Sequence, residues 1–394
     1  MRQRTLLTAF SIAHFAHHVT NSLLSALMPF MVADGLVTSN TLAGFTVTTV
    51  AVASGLTNVP LGVLADRIGA RRVIVGGLFL IGLASIAIGL STSYAFLLLA
   101  VLVMGIASGT YHAPASALIA EVFSFARRGI ALGTHTTAGH LAFFAAPLVA
   151  GVLAATGTWR TPYVLFALAP ILCAVLVLRV APEGTRSREP HRWLATIADI
   201  GRVAKAVGSL VLLSIVAQVL VSSATAFLAL YLVDARGVSP AVAAALFGVP
   251  QLAGLVAAPT SGMLSDRFGR PAVLLGALIA SGPSLWLLTI VPVELIFIPL
   301  LLIGACHAFR STATEVLIID NTPATKRSTV LGTYYLVNQP VGGIAAPLFG
   351  ALADSTGMTA AFSWLAVVFV VLSVVALLAS ATGAARIREA SSPG

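Results

Sequence analysis

Charge is scarce in this sequence, and cysteine scarcer still. Only 9% of its 394 residues are Asp, Glu, Lys or Arg, while 58% are hydrophobic. Water-soluble domains carry about a quarter charged residues, so a soluble globular protein is excluded and an integral membrane protein follows. Cys173 and Cys306 stand alone in apolar stretches, which excludes a disulfide framework and any cysteine-based metal motif. Acid is also short, with 13 residues against 22 basic ones. No pair of acids, serine elbow or phosphate-binding glycine loop occurs. A membrane-embedded enzyme is therefore only a remote alternative, with no catalytic residue to name and no cofactor to expect.

The excess of basic charge would suit nucleic acid only if it were gathered on one soluble face. Instead it falls in small clusters between paired apolar stretches. All of the basic residues except Arg160, Arg236 and Arg310 lie in alternate loops or in the terminal and central polar segments. That asymmetry is the positive-inside pattern. It predicts a multi-pass protein of the inner (cytoplasmic) membrane with both termini in the cytoplasm, and it excludes a nucleic-acid partner. The first apolar run is too long for a cleavable signal sequence and has no small-residue cleavage site.

A membrane-spanning helix needs roughly 20 apolar residues. Apolar runs read against their breakers predict helices near 6–33, 41–64, 72–91, 95–121, 129–155 and 160–180. A second set is predicted near 207–233, 240–264, 272–292, 295–320, 328–353 and 359–382. The expectation is an all-α membrane protein, with twelve transmembrane helices in two pseudo-symmetric six-helix halves. The halves are residues 1–180 and 207–394, joined by a polar cytoplasmic linker, 181–206. The halves repeat in sequence. "GVLADRIGARR" from Gly62 returns as "GMLSDRFGRPA" from Gly262, and "AAPLVAGVLAATG" from Ala145 returns as "AAPLFGALADSTG" from Ala345. Glycine at 69 and 269 suits a tight reversal between helices.

The G-x-L-x-D-R-x-G-x-R-R unit between helices 2 and 3, with its echo between helices 8 and 9, resembles the signature loop of the major facilitator superfamily. Within that group "GTYHAPASALIAEVF", "RRGIALGTHTTAGH" and the segment from His14 to Pro29 are similar to the fosmidomycin-resistance-like efflux branch. The resemblance implies a secondary transporter working by alternating access, with helices 1, 4, 7 and 10 around a central cavity. It also implies that Asp66 closes a cytoplasmic gate against helix 11 and the arginines before helix 5. The gating set is then Asp66, Arg67, Arg127 and Arg128, with Asp266, Arg267, Lys326 and Arg327 at the equivalent places in the second half.

Ionisable groups at bilayer depth are costly and normally face water or protein. His14, His17, His18, Asn21 and Ser25 share a sector of about 100° on helix 1. Helix 4 carries Ser108, His112 and Ser116 in one stripe, and helix 10 carries His307, Arg310, Ser311 and Thr314. His135 and His140 of helix 5 point about 140° apart, so one wall cannot hold both. His17 and His135 read better as helix–helix hydrogen bonds. The expected cavity set is His14, His18, Asn21, His112, His140, Gln218, His307, Arg310, Tyr334, Asn338 and Gln339.

Arg310, a permanent charge in mid-membrane, asks for an anion, either Glu315 or Asp320 or the solute itself. The expected cargo is accordingly a small organic anion or zwitterion. Histidine titrates near neutral pH, so protons are the expected coupling partner, through His14, His18, His112 and Glu315, in an exporter that functions as a monomer in the bilayer. Metal or metal-chelate transport is the alternative, since His at i and i+4 can share an ion. Against it, no carboxylate or thiolate joins the histidines, and Arg310 would repel a cation.

Overall fold

The computed structural model describes residues 2–184, 193–322, 334, 338 and 340–391. Its helices are numbered here by span. α1 runs in three pieces, Arg2–Asn21, Leu23–Ala26 and Met28–Ala33, and α2 is Asn40–Ile68. α3 is Ala70–Gly89; α4 is Tyr94–Ser108 followed by His112–Val122; α5 is Phe125–Thr156; and α6 is Arg160–Phe166 followed by Leu168–Val180. In the second half, α7 is Trp193–Asp234, α8 is Pro240–Phe247 followed by Val249–Phe268, and α9 is Arg270–Ile290. α10 is Phe297–Asp320 after a 3-10 turn at Val293–Leu295, α11 ends as Ala346–Thr356, and α12 is Met358–Ser391. Among the described residues, 10 helices are long and apolar enough to cross a bilayer. α1 is interrupted and carries the polar stripe, and α11 is described only in part; with them the protein has twelve transmembrane helices in two six-helix halves.

Two expectations change in detail. The signature loop is shorter than the expected gaps at 65–71 and 265–271: Gly69 alone separates α2 from α3, and Gly269 alone separates α8 from α9. Both adopt positive φ, 104° and 87°, a backbone state that only glycine enters at no steric cost, so one residue reverses the chain. In addition, α7 begins at Trp193, inside the stretch expected to be linker. Trp193, Ile197, Ile200, Val203 and Val207 recur every three or four residues, a helical period that polar neighbours mask in a hydropathy reading.

The outside of the bundle is apolar. Leu56, Leu102, Leu172, Val256, Leu348 and Val371 are all exposed, as suits a lipid-facing surface. Lipid tails are as apolar as leucine, so helices in a bilayer hold together by close packing rather than by hydrophobic burial. The halves accordingly meet along two seams of small residues. On α2 and α11, a Cβ added to Gly44 would lie 2.6 Å from the backbone of Ala346, and one on Gly350 would lie 2.3 Å from the carbonyl of Asn40. On α5 and α8, one added to Gly151 would lie 2.8 Å from the carbonyl of Ala241, and one on Gly248 would lie 2.8 Å from that of Phe144.

These seams occupy the end of the bundle remote from the basic loops, called here the bare end. Asp354 of α11 closes it. Its Oδ1 accepts from the Asn40 N–H (2.8 Å), and its Oδ2 accepts from the N–H (2.9 Å) and hydroxyl (2.6 Å) of Thr41. The first N–H groups of a helix have no partner within it, so one half caps a helix of the other. Burial pushes the Asp354 carboxyl up, but donation from Thr41 and Asn40 outweighs it and holds the group below its ordinary value.

The three basic residues outside the charge pattern all find oxygen partners. Arg160 donates to Asp34 (2.8 Å) and to the Ser91 carbonyl (3.1 Å). Hydrogen bonds from Trp159 and Arg160 hold the Asp34 carboxyl below the usual range. Arg236 donates to the carbonyls of Leu288 and Val291 at the end of α9. Arg310 is satisfied inside the second half, as described next.

Candidate functional site

A cavity of about 480 Å³ lies between the halves. From the first half its wall takes Asn21, Ser22 and Ser25 of α1 and Thr136, His140 and Phe143 of α5. From the second it takes Gln218, Ser222 and Thr225 of α7, Gln251 of α8, and His307, Ser311, Thr312 and Glu315 of α10, with Gly342 and Gly343 of α11. The α1 stripe reaches this wall only at its C-terminal end, because the helix is interrupted after Asn21. His140 Nδ1 lies 3.1 Å from Gln251 Oε1 across the two halves. Thr48 donates across the other seam to the Gly343 carbonyl at 2.6 Å.

Of the expected set, Asn21, His140, Gln218, His307 and Glu315 line the cavity. Arg310 does not. It is 1% exposed and sits behind the wall. Its Nη1 donates to the Ser214 carbonyl and hydroxyl, both at 2.9 Å, and its Nη2 donates to Gln218 Oε1 and to His307 Nδ1, the latter at 3.1 Å. The anion expected for it is replaced by this ring of neutral acceptors. Among the described residues no carboxylate lies within ion-pair distance of Arg310: Asp320 pairs with Arg270 (3.0 Å), and Glu315 accepts from Ser311 (3.4 Å). Arg310 therefore orients two cavity groups, Gln218 and His307, from outside the cavity.

His14, His18 and His112 also lie outside the cavity wall. They form a nest within the first half together with His17, His135 and Tyr111. His14 Nδ1 lies 2.7 Å from the His135 carbonyl, and His14 Nε2 lies 3.1 Å from His18 Nε2. The ring of His112 is 5.3 Å from that of His14 and 5.2 Å from that of His18, centroid to centroid. His17 meets the Ser108 carbonyl at 3.3 Å, the helix–helix bond expected of it. His135 turns into the nest while His140 turns into the cavity, as their angular separation requires. Tyr334 is buried against Ile318, Val211 and Ile215, and Asn338 is half-buried; neither lines the cavity. Gln339, Lys326 and Arg327 lie outside the described residues.

At the basic end, Asp66 and Arg67 are exposed. Asp66 borders a smaller recess of about 250 Å³ with Gly62, Pro114, Glu121 and Gly184, and makes no ion pair among the described residues. Arg127 is exposed at the start of α5, with Arg128 on the same turn. Asp266 bonds Arg270 at 2.8 Å within its own half, while Arg267 stacks over Phe268 at 5.2 Å.

Three residues that matter here were not singled out from the sequence. Gln251 is visible only as a lone amide in an apolar span. Ser214, on α7, carries no signal that links it to Arg310. Gly139 makes room for the nest: a Cβ there would come within 2.7 Å of His14 and 2.9 Å of His18.

Two pseudo-symmetric bundles closed at one end around a polar cavity define a secondary transporter, and no catalytic constellation accompanies them among the described residues. The chain belongs to the major facilitator superfamily, whose model matches residues 10–205 and 210–393. Among curated relatives, the multidrug resistance protein MdtG of Enterobacter lignolyticus is 29% identical over 338 residues, covering 82% of this chain and 77% of the relative. MdtG of Escherichia coli K12 is 28% identical over 317 residues, covering 76% and 75%. Among solved structures, the nucleoside transporter NupG superposes with a TM-score of 0.81 at 14% identity, over 95% of this chain and 99% of that one. A bacterial homologue of the lysosomal transporter Spinster, inward-facing and unoccupied, gives 0.76 at 16%, over 95% of each chain. At these identities the structural likeness speaks for the fold alone.

Proposed function

We propose that this transporter exports a small zwitterionic organic solute in exchange for protons, as a monomer in the inner membrane with both termini in the cytoplasm. The observation that carries the reading is the charge arrangement on α10. Glu315 is the charged member of the cavity wall among the described residues, and Arg310 stands directly behind His307 and Gln218. An amine is drawn to Glu315, and an anionic group accepts from polarised side chains near Arg310. A simple anion would meet Glu315 as a like charge, which is why the zwitterion is preferred to it. The similarity to proteins named for multidrug resistance supports the export direction. With the termini placed in the cytoplasm, the bare end is the outer end. The cavity is then closed outward by Asp354 and the glycine seams. The proposed inner gate comprises Asp66, Arg67, Arg127, Arg128, Asp266, Arg267, Lys326 and Arg327, and among the described residues Asp66 makes no ion pair and Asp266 pairs within its own half.

Of the expected coupling groups, Glu315 is the one on the cavity wall. A carboxylate that binds either a proton or the solute's amine makes the two compete, which is antiport by linkage. In proteoliposomes, wild-type solute flux is expected to follow an imposed pH gradient. Glu315→Gln, isosteric and permanently neutral, is expected to lose at least about tenfold of the gradient-driven flux, the 1.4 kcal/mol scale of one charge-assisted contact, while still exchanging solute at equal pH. A wild-type gradient response in the variant would overturn the assignment.

A further inference from the structure

The histidine nest has no part in that scheme. Its five imidazoles belong to His14, His17, His18, His112 and His135, all in the first half, beside the interruption of α4 between Ser108 and His112. Ordinary helix–helix hydrogen bonds account for two of the ring nitrogens: His14 Nδ1 on the His135 carbonyl and His17 Nε2 on the Ser108 carbonyl. They do not account for the others. Buried ring nitrogens of His17, His18 and His135 (Nδ1 in each) have no hydrogen-bond partner, although buried polar atoms are nearly always satisfied. Ligand atoms of His14, His18 and His112 all lie within 4.8 Å of one another.

We propose that this nest is a binding site for one divalent transition-metal ion of the zinc class, held by His14, His18 and His112, with a fourth position open to water. Each ligand has a physical reason. The His14 Nδ1–H donates to a backbone carbonyl and leaves Nε2 as the bare nitrogen, the outer-shell arrangement that fixes ligating histidines in metal sites. His14 Nε2 accepts a hydrogen bond from His18 Nε2 at 3.1 Å, a contact that an ion would replace. Two nitrogens bound tetrahedrally to zinc at about 2.0–2.1 Å are themselves separated by about 3.3 Å, so this pair already stands at ligand spacing.

Three neutral imidazoles without a carboxylate select zinc, copper, nickel or cobalt over calcium and magnesium, which take oxygen. Arg310 lies in the other half, with both Nη groups turned to Ser214, Gln218 and His307. Entry runs from the cavity past Phe143, whose ring packs on His18 at 4.8 Å. Bound there, the ion pins α1 to α4 within the first half.

The test is metal binding to tag-free, full-length protein in detergent, with no solute and no gradient, so it stands or falls apart from the transport reading. Zn²⁺ is expected to bind at one per chain, and Co²⁺ in its place to show the intense visible bands of a tetrahedral site. X-ray absorption at the zinc edge should show imidazole nitrogens in the first shell. His112→Gln, which removes a ligand, should weaken Zn²⁺ at least about 100-fold, the upper end of what losing an outer-shell partner costs. Gly139→Ala, which crowds His14 and His18, should weaken it as well. His140→Gln, His307→Gln and His191→Gln should bind as the wild type does. The proposal is overturned by no stoichiometric Zn²⁺ on the wild-type protein, by an oxygen-only shell, or by a folded His112→Gln variant of undiminished affinity. The wild-type measurements decide the matter even if a variant fails to fold.

Discussion

Arg310→Ala is expected to lower both the thermal stability of the protein and its affinity for solute. The guanidinium satisfies the Ser214 carbonyl and hydroxyl, Gln218 and His307 at once, at 1% exposure. Removing it strands several buried acceptors, each costing about 1–3 kcal/mol, so a loss of about 3 kcal/mol is expected. Gln218 and His307 also lose the group that aims them into the cavity, and solute affinity should fall at least about tenfold, or 1.4 kcal/mol. Arg310→Lys keeps the charge without the planar fork and should fall between alanine and wild type in both measurements. Thermal unfolding in detergent and equilibrium solute binding read the two effects separately. If Arg310→Ala melts and binds as the wild type does, the positioning role is wrong.

Gly44→Val should spring the bare end open. A Cβ at 44 would lie 2.6 Å from the Ala346 carbonyl carbon and oxygen and 2.7 Å from Pro347 Cα, and backbone cannot turn aside as a side chain can. α2 and α11 must separate by about 1 Å for an ordinary contact of about 3.5–4.0 Å. Asp354→Ala acts on the same seam more gently. Loss of a cap on a helix N-terminus costs about 0.5–2 kcal/mol, which shifts the population by about tenfold. Spin labels placed on the two helices at the bare end should report a longer distance in both variants, and most in Gly44→Val. An unchanged distance distribution in Gly44→Val would refute the seam as the closure.

Much of the architecture was legible because lipid imposes it. Apolar run length, the basic loops and the duplicated signature yielded twelve spans and two halves, and the spans agree with the structure to within a few residues at most ends. The helix interruptions were not legible, since Ser22 and the stretch from Gly109 to Tyr111 look no different in composition from the helix around them. They decide the site. A helical wheel gives relative angles, and it put His14, His18, Asn21 and Ser25 on one face correctly. It says nothing of the absolute rotation of that face, nor that α1 would break after Asn21. The same stripe therefore meets α4 and α5 at its histidines and the cavity only from Asn21 on. The divergence of His135 from His140 needed only the angle within one helix, and was read correctly. The partners of Arg310 were out of reach for a different reason: Ser214 and Gln218 stand on another helix about a hundred residues away, and only packing brings them together.

Both buried polar networks close inside a single half. The nest belongs wholly to the first, and the Arg310 ring wholly to the second. Among the described residues, the bonds that pass between the halves are those of Asp354, the Thr48–Gly343 bond and the His140–Gln251 contact, all of them at the seams or the cavity wall. Rocking one half against the other thus leaves the hydrogen bonds of both networks in place. The Arg310 guanidinium keeps its acceptors as the halves move, and the hydrogen bonds to be exchanged are a few that water or solute can replace. A ligand reverses a hundredfold preference between two orientations only when its own affinities for them differ by about 5.5 kcal/mol. With so few bonds to exchange among the described residues, close packing at the glycine seams is the main contact a solute must offset.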